Sequence, residues 1–415
     1  MEQKISTPDI PTSGGTRRYG VVLFLFVLSM ITYVDRVCIS AAKDPIAAEL
    51  KLSDSAMGLV FSAFALGYAL AQIPTGRLAD KFGPRLALTG VVFVWSALTA
   101  MTGAAWNLAS LVVIRFLFGA GEAGAFPGSA RAIVNWLPAG ERGRANGVLF
   151  SGSRLGAALS FPLLAWMLTR WSWRPSFFIL GGMGATWAVV WFLWFRDHPG
   201  GAASGEAVVD SEPSVSLFRH KGISLAMAQY FATNFTTFLV LSWMLPYLKK
   251  QYQLSDARAA AYSMVPLLMA AFAQWLTGWM VDRLYRSPWR AWSRRFPAIV
   301  GFTSSALALL ALTQAGTAET AIIWFAVAAF GADMTVSPSW VFCADIAGAK
   351  SGGVSGAMNM MGNLGSFVSA NAFPFLFGLT GTASAYFIVT AGMNLVAVLC
   401  WLRMKSPELS SAKEA

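Results

Sequence analysis

Five ionisable side chains in the first half of this 415-residue sequence stand inside long apolar runs: Asp35 and Arg36 in ITYVDRVCIS, Arg115 and Glu122 in RFLFGAGEAG, and Arg154 in FSGSRLGAAL. A charge in hydrocarbon costs from about 2.5 kcal/mol upward, so it persists where it has a partner, a wet cavity or a task. Arg115 and Glu122 are seven residues apart, two helical turns and about 10.5 Å along one face. Direct pairing at that separation is excluded, and both are expected to look into one cavity within reach of Asp35. Two chemistries fit. One is a structural ion-pair network that fixes helix packing. The other is a proton relay, in which a carboxylate keeps its charge beside an arginine and takes a proton once separated or desolvated.

Arg36 follows Asp35 directly, but consecutive helical residues point about 100° apart, so neighbours in sequence need not be partners in space. A planar guanidinium in a polar cavity suits two-point capture of a carboxylate, which lysine does less well. Tyr33 lies three residues away on nearly the same face and offers a hydroxyl to a polyhydroxy substrate; packing or interface anchoring is its alternative. Arg154, next to Ser153, is either a second anion contact or a tie between helices. Asp333 in FGADMTVSPSW has three open readings: it faces a vestibule, binds a cation, or pairs with Arg154.

The remaining polar candidates are uncharged. AQYFATNF places Gln229, Tyr230 and Asn234 within a turn and a half, and MNMMGNLG places Asn359 and Asn363 four residues apart. Residues four apart share a helix face. Buried amides need partners, and either sugar hydroxyls or interhelical hydrogen bonds supply them.

These residues need elements to position them, and composition says which. The chain is 56% hydrophobic and 12% charged, with a mean hydropathy of +0.56, whereas soluble domains are about 25% charged. It reads as an all-α integral membrane protein. Its apolar windows of about 20 residues are long enough to cross a hydrocarbon core of about 30 Å. About twelve transmembrane helices are expected, near 19–41, 54–77, 84–104, 107–131, 142–169, 174–195, 222–248, 257–282, 296–315, 319–344, 352–379 and 383–403. The polar gap from Arg196 to Lys221 has linker composition and divides the spans into two six-helix halves. The expected organisation is a tail 1–18, a half 19–196, a linker 197–220, a half 221–404 and a tail 405–415.

The basic residues set the orientation. Arg17, Arg18, Arg77, Lys81, Arg85, Arg142, Arg144 and others crowd one set of loops, against Lys43, Lys51, Arg170, Arg174, Lys249, Lys250 and Arg258 on the opposite side. Both termini are therefore expected in the cytoplasm. The same scatter explains the net charge of +11 without a nucleic-acid partner. The first apolar run outlasts a signal peptide and reads as a retained helix. Cys38, Cys343 and Cys400 all fall in apolar segments without CxxC spacing, which points to neither disulfide nor metal. The two histidines, His198 and His220, lie in the linker, so no Ser-His pair or His-bound metal is expected in the membrane, and an intramembrane enzyme is disfavoured. No cofactor is expected beyond protons as coupling ion, and a monomer in the lipid bilayer is the expected state.

An internal repeat supports the two halves. GRLADKFGPR, Gly76 to Arg85, follows the second span, and GWMVDRLYRS, Gly278 to Ser287, follows the second span of the second half. Each has Gly, an acid four residues on, then a basic residue. Repeats of this kind are common in transporters, with the substrate at the repeat interface. Asp80 and Arg85, with Asp282 and Arg283 in the copy, read as a loop-level ion-pair latch that holds the outward-facing state, while Gly76 and Gly83 permit a tight turn and close packing.

The Gly-x-Leu-x-Asp-x-x-Gly-x-Arg pattern and the six-plus-six split resemble the major facilitator superfamily. YVDR, RFLFGAGEAGAFPG, WLPAGERGRANG, FRDHP and GAMNMMGNLGSF resemble its anion:cation symporter branch, over nearly the whole chain. That branch includes bacterial carriers of hexuronates, aldonates and aldarates and the animal lysosomal and vesicular organic-anion carriers. The resemblance implies the major facilitator fold, proton coupling through Asp35 and Glu122 with Arg115 modulating them, a substrate carboxylate on Arg36, and substrate positions at Tyr68 and Asn359. Arg154 departs from the neutral polar residues common there in sugar-acid carriers.

The expected function is proton-driven symport of an organic anion, a sugar acid such as a hexuronate or aldonate, by alternating access in a bacterial inner membrane. Aromatic or other small carboxylates are the alternative, because 17 Trp and 30 Phe are available to line a cavity. Drug-proton antiport is less favoured, since SGSRLGAALSFP lacks the Gly-Pro pairing usual in the fifth helix of such exporters.

Overall fold

A computed structural model of the chain describes residues 15–199 and 221–404. The tail expected at 1–18 as far as residue 14, the linker from residue 200 with His220, and the tail 405–415 lie outside the described residues. The described chain is helical from end to end. Eight stretches are long and apolar enough to cross a membrane. Large apolar side chains such as Leu23, Phe93, Leu193 and Phe375 face outward, as a lipid-facing surface requires.

The helices that carry the site are α1 (Arg17–Ala41), a short α2 (Lys43–Leu50), α3 (Asp54–Thr102), α4 (Leu108–Glu122), α5 (Ala125–Trp136), α6 (Arg142–Arg170) and α7 (Trp173–Trp194). After the linker follow α8 (Lys221–Phe238), α9 (Met244–Tyr252), α10 (Asp256–Tyr285), α11 (Arg295–Leu312), α12 (Ala318–Met334), α13 (Val336–Ala347), α14 (Ser351–Thr380) and α15 (Ser384–Arg403). The surface helix α2 was not expected from hydropathy, since it is short and carries Lys43, Asp44 and Glu49. A π-helical turn at Leu239–Trp243 joins α8 to α9.

Three long helical stretches are interrupted for local reasons. Gly83 within α3 has φ +76°, a left-handed conformation open to glycine, and Pro84 restarts the helix with its preset φ. Chain direction changes there without a loop. The α4 and α5 segments are separated at Ala123 and Gly124, directly after Glu122. The α12 and α13 segments are separated at Thr335, two residues after Asp333.

Small residues let the helices touch backbone to backbone, the usual packing device where lipid gives no hydrophobic drive between helices. Gly152 and Gly156 of α6 rest on Phe26 and Met30 of α1. Gly67 of α3 rests on Phe116, and Gly119 of α4 on Phe64. Gly76 of α3 meets Gly352 of α14, and Gly143 of α6 meets Gly278 of α10. A Cβ at any of these contacts would overlap backbone atoms. The first two contacts bring Arg36, Tyr68 and Arg154 to one space; the last two close one end of it.

Candidate substrate cavity and its ion pairs

A cavity of about 1370 Å³ lies between α1, α3, α4 and α6 on one side and α8, α10 and α14 on the other. Tyr33, Arg36, Tyr68, Ser153, Arg154, Tyr230, Asn234, Asn359 and Asn363 all line it. Gln229 does not. It is fully buried, donates to the Ala226 carbonyl, and its Oε1 accepts from Ser339 Oγ and Trp401 Nε1, each at 3.2 Å. The expected substrate role of Gln229 is therefore corrected to that of an interhelical tie, because its helix turns it away from the cavity.

Arg36 sits on the cavity wall with its guanidinium over three rings, 4.4 Å from the Tyr68 centroid, 5.2 Å from Tyr33 and 5.5 Å from Phe64. Its Nε donates to Glu122 Oε1 at 2.5 Å. Glu122 is wholly buried and does not line the cavity. Arg36 Nη2 is buried and has no hydrogen-bond partner among the described residues, so the guanidinium is only partly satisfied by Glu122. The residue expected to hold the substrate carboxylate and one of the acids expected to take a proton are thus partners in a single ion pair.

Asp35 points away from both. Its Oδ2 accepts from Trp95 Nε1 at 3.1 Å, and its side chain is buried. Arg115 lies 4.4 Å from the Phe118 centroid and 4.9 Å from Phe64, within electrostatic reach of Asp35 and Glu122 but bonded to neither among the described contacts. Arg115 and Glu122 were expected to look into the cavity; both lie behind its wall, because Phe64 and Tyr68 of α3 stand between. Trp95, in a largely apolar run, gave no sign in the sequence of being the partner of Asp35.

Further along the cavity Arg154 of α6 donates from Nε and Nη2 to Asp333 Oδ1 of α12, at 3.0 and 2.7 Å. Gln274 Nε2 donates to the same oxygen at 2.8 Å. Of the three readings open for Asp333, the structure has the ion pair. Arg154 and Gln274 line the cavity and Asp333 stands behind them. Asn359 Nδ2 donates to Gln72 Oε1 at 3.1 Å and lies 3.5 Å from Tyr68 Oη, and Tyr230 Oη accepts from Trp340 Nε1 at 2.9 Å. Gln72 and Gln274 were missed in the sequence. For Asp333 a signal did exist: Glu122 and Pro127 are five residues apart, as are Asp333 and Pro338.

The end of the cavity near Gly76 and Gly143 is closed. Asp80 accepts the backbone N–H groups of Gly352 and Gly353 at 2.8 and 2.7 Å, at the start of α14. Asp282 accepts those of Gly143 and Arg144 at 2.8 and 2.9 Å, at the start of α6. A helix start presents unpaired N–H donors and the positive end of its dipole. The expected latches Asp80 with Arg85 and Asp282 with Arg283 are thus corrected. Arg85 instead donates to the Phe192 carbonyl through Nε and to Asp197 through its backbone N–H, and Arg283 lies 5.5 Å from the Trp279 ring. Helix termini distant in sequence outcompete the nearby Arg85 and Arg283 for the two carboxylates.

A helical membrane protein with a cavity between its helices, arginines paired with buried acids at its walls and one end sealed by helix-capping acids has the build of a solute carrier. Residues 25–370 match the model of the Major Facilitator Superfamily, and the chain belongs to that family. It is a transporter and not an enzyme. It is 30% identical to a protein named "Probable sulfoacetate transporter" of Cupriavidus necator, over 97% of this chain and 95% of that one. It is 28% identical to the "Hexuronate transporter" of Bacillus subtilis, over 93% and 94%. The crystal structure of a human organic anion transporter superposes with a TM-score of 0.73 at 16% identity, covering 93% of this chain and 99% of that one.

Proposed function

We propose that this chain is a proton-coupled symporter that takes up a small organic anion by alternating access, with sugar acids such as hexuronates and aldonates as its first class of substrate. The observation that carries the reading is the Arg36–Glu122 pair, with the arginine on the cavity wall and the acid buried behind it. An anion that binds the guanidinium takes it from Glu122. A buried carboxylate left without its cation costs several kcal/mol, and a proton relieves that cost. The neighbouring charges point the same way. Asp35, Glu122 and Asp333 balance Arg36, Arg115 and Arg154, so an added anion leaves the set negative unless an acid is protonated.

The hydroxyls of Tyr33 and Tyr68 and the amides of Asn234, Asn359 and Asn363 around Arg36 suit a polyhydroxy acid. The relatives named for hexuronate and sulfoacetate support small organic anions as the class. Small aromatic carboxylates are the second reading, favoured by Phe64, Phe116, Phe126 and Phe150 along the same walls.

The same reading gives the architecture. Twelve spans form two six-helix halves, 19–196 and 221–404, with both termini in the cytoplasm of a bacterium, a monomer in the inner membrane. Support comes from the basic loops and from the matching caps of Asp80 and Asp282, each placed on a helix of the other half. On that orientation the closed end is cytoplasmic and the cavity faces outward. Opening and closing then exchange these two caps for contacts at the other end.

Proteoliposomes with labelled glucuronate test the function. Accumulation driven by an inward proton gradient and lost with a protonophore is expected; uptake indifferent to the gradient contradicts it. Binding of benzoate in preference to glucuronate and galactonate would favour the second reading.

A further inference from the structure

The cavity holds two arginine–acid pairs built alike. In each, an arginine lines the wall, Arg36 or Arg154, and its acid, Glu122 or Asp333, is buried behind it. The two acids occupy equivalent places. Both α4 and α12 begin with a capping box, at Asn107 with Ser110 and at Thr317 with Thr320. Glu122 follows its cap by fifteen residues and Asp333 by sixteen, each within two residues of a break and five residues before a proline. The arginines come from α1 and α6, which pack together through Gly152 and Gly156. Those contacts set Arg154 level with the stretch near Leu28, so Arg36 stands on the order of 10 Å further along the bundle. Tyr33 lies within electrostatic reach of both guanidiniums.

We propose that Arg154 is a second anion anchor, and that the cavity selects organic anions bearing two acidic groups, one for each arginine. This rests on the anion-carrier reading above. A purely structural tie would have no reason to expose its arginine to the cavity and bury its acid. A tie would also not need Gln274, which lines the cavity and donates to the oxygen that receives Arg154. Gln274 keeps Asp333 hydrogen-bonded when Arg154 turns to a ligand, which lowers the cost of exchanging one anion for the other. Its own Oε1 is buried and has no partner among the described residues, so the amide is only partly satisfied beside the second anchor. Two anchors about 10 Å apart are matched by a short chain with an acid at each end and not by a single carboxylate.

Glucarate and gluconate differ only in whether the far carbon carries a second carboxylate, so they form the test pair. Titration of the full chain in nanodiscs is expected to give tighter binding of glucarate by about tenfold or more, the worth of one charge-assisted hydrogen bond. In Arg154→Gln the ratio falls to about one. Because that change leaves Asp333 without its cation, Arg154→Gln with Asp333→Asn is measured beside it, and the same collapse is expected. Equal binding of the two acids by the unaltered chain overturns the proposal, as does a ratio that survives in the double variant. Binding of neither, nor of sulfoacetate or glucuronate, overturns the anion-carrier reading itself and with it the second anchor.

Discussion

Arg36 Nε and Glu122 Oε1 are 2.5 Å apart, and of the two only Arg36 reaches the cavity. The arginine cannot turn its committed edge to a substrate and keep the acid. On the proposed function, this exchange couples ligand binding to the state of a group that the ligand never touches. Close ring contacts with Tyr68 and Tyr33 fix the guanidinium plane and hold it at the wall during the exchange.

Arg36→Lys should weaken binding of glucuronate by about tenfold or more, since an ammonium cannot offer a carboxylate the two-point contact of a planar guanidinium. Titration in nanodiscs measures it. Affinity like that of the unaltered chain would remove Arg36 from the site.

Asp80→Asn and Asp282→Asn each remove the charge that caps a helix start across the closed end. Charged caps and their dipole contribution are worth about 1–2 kcal/mol, so the closed end should open more often. Alkylation of a cysteine placed at Ser351, which is buried at that end, should accelerate several-fold in either variant. An unchanged rate would show that the caps do not hold it shut.

Gly76→Val should act in the same direction by a different route. Its side chain would strike the Gly352 backbone, and overpacking costs about 1–3 kcal/mol. The prediction is faster alkylation at position 351 with helix content preserved in circular dichroism; a rate equal to that of the parent would contradict the close approach.

Gln229→Leu should lower the thermal midpoint, because Ser339 and Trp401 lose a buried acceptor at a cost of about 1–3 kcal/mol each. Glucuronate affinity should follow the parent within about twofold. A large loss of affinity at unchanged stability would return Gln229 to the cavity.

Much of the fold was legible, because a hydrophobic window the length of a bilayer is a one-dimensional signal. Helix breaks were not. Those after Glu122 and Asp333 depend on local backbone satisfaction in a crowded bundle, and the windows ran straight through them. At the site, most of the polar side chains that line the cavity were found by polarity on helix faces, Tyr68 only through the family resemblance, and Gln229 shows the limit: hydropathy cannot tell a cavity from a polar seam between helices. Partners were the least legible. Trp95 with Asp35, Gln274 with Asp333 and Gly352 with Asp80 join residues far apart in sequence, and only the packing angles of the helices decide them. Arg85 looked like the partner of Asp80 because it is near in sequence, whereas a helix start offers two aligned donors at once.

Glu122→Gln tests the coupling most directly. The amide still accepts from Arg36 but carries no exchangeable proton charge, so exchange of labelled for unlabelled glucuronate across proteoliposomes should continue while accumulation against a gradient under an inward proton gradient is abolished. Accumulation equal to that of the unaltered chain would contradict the assignment of Glu122 as the acid that takes the proton.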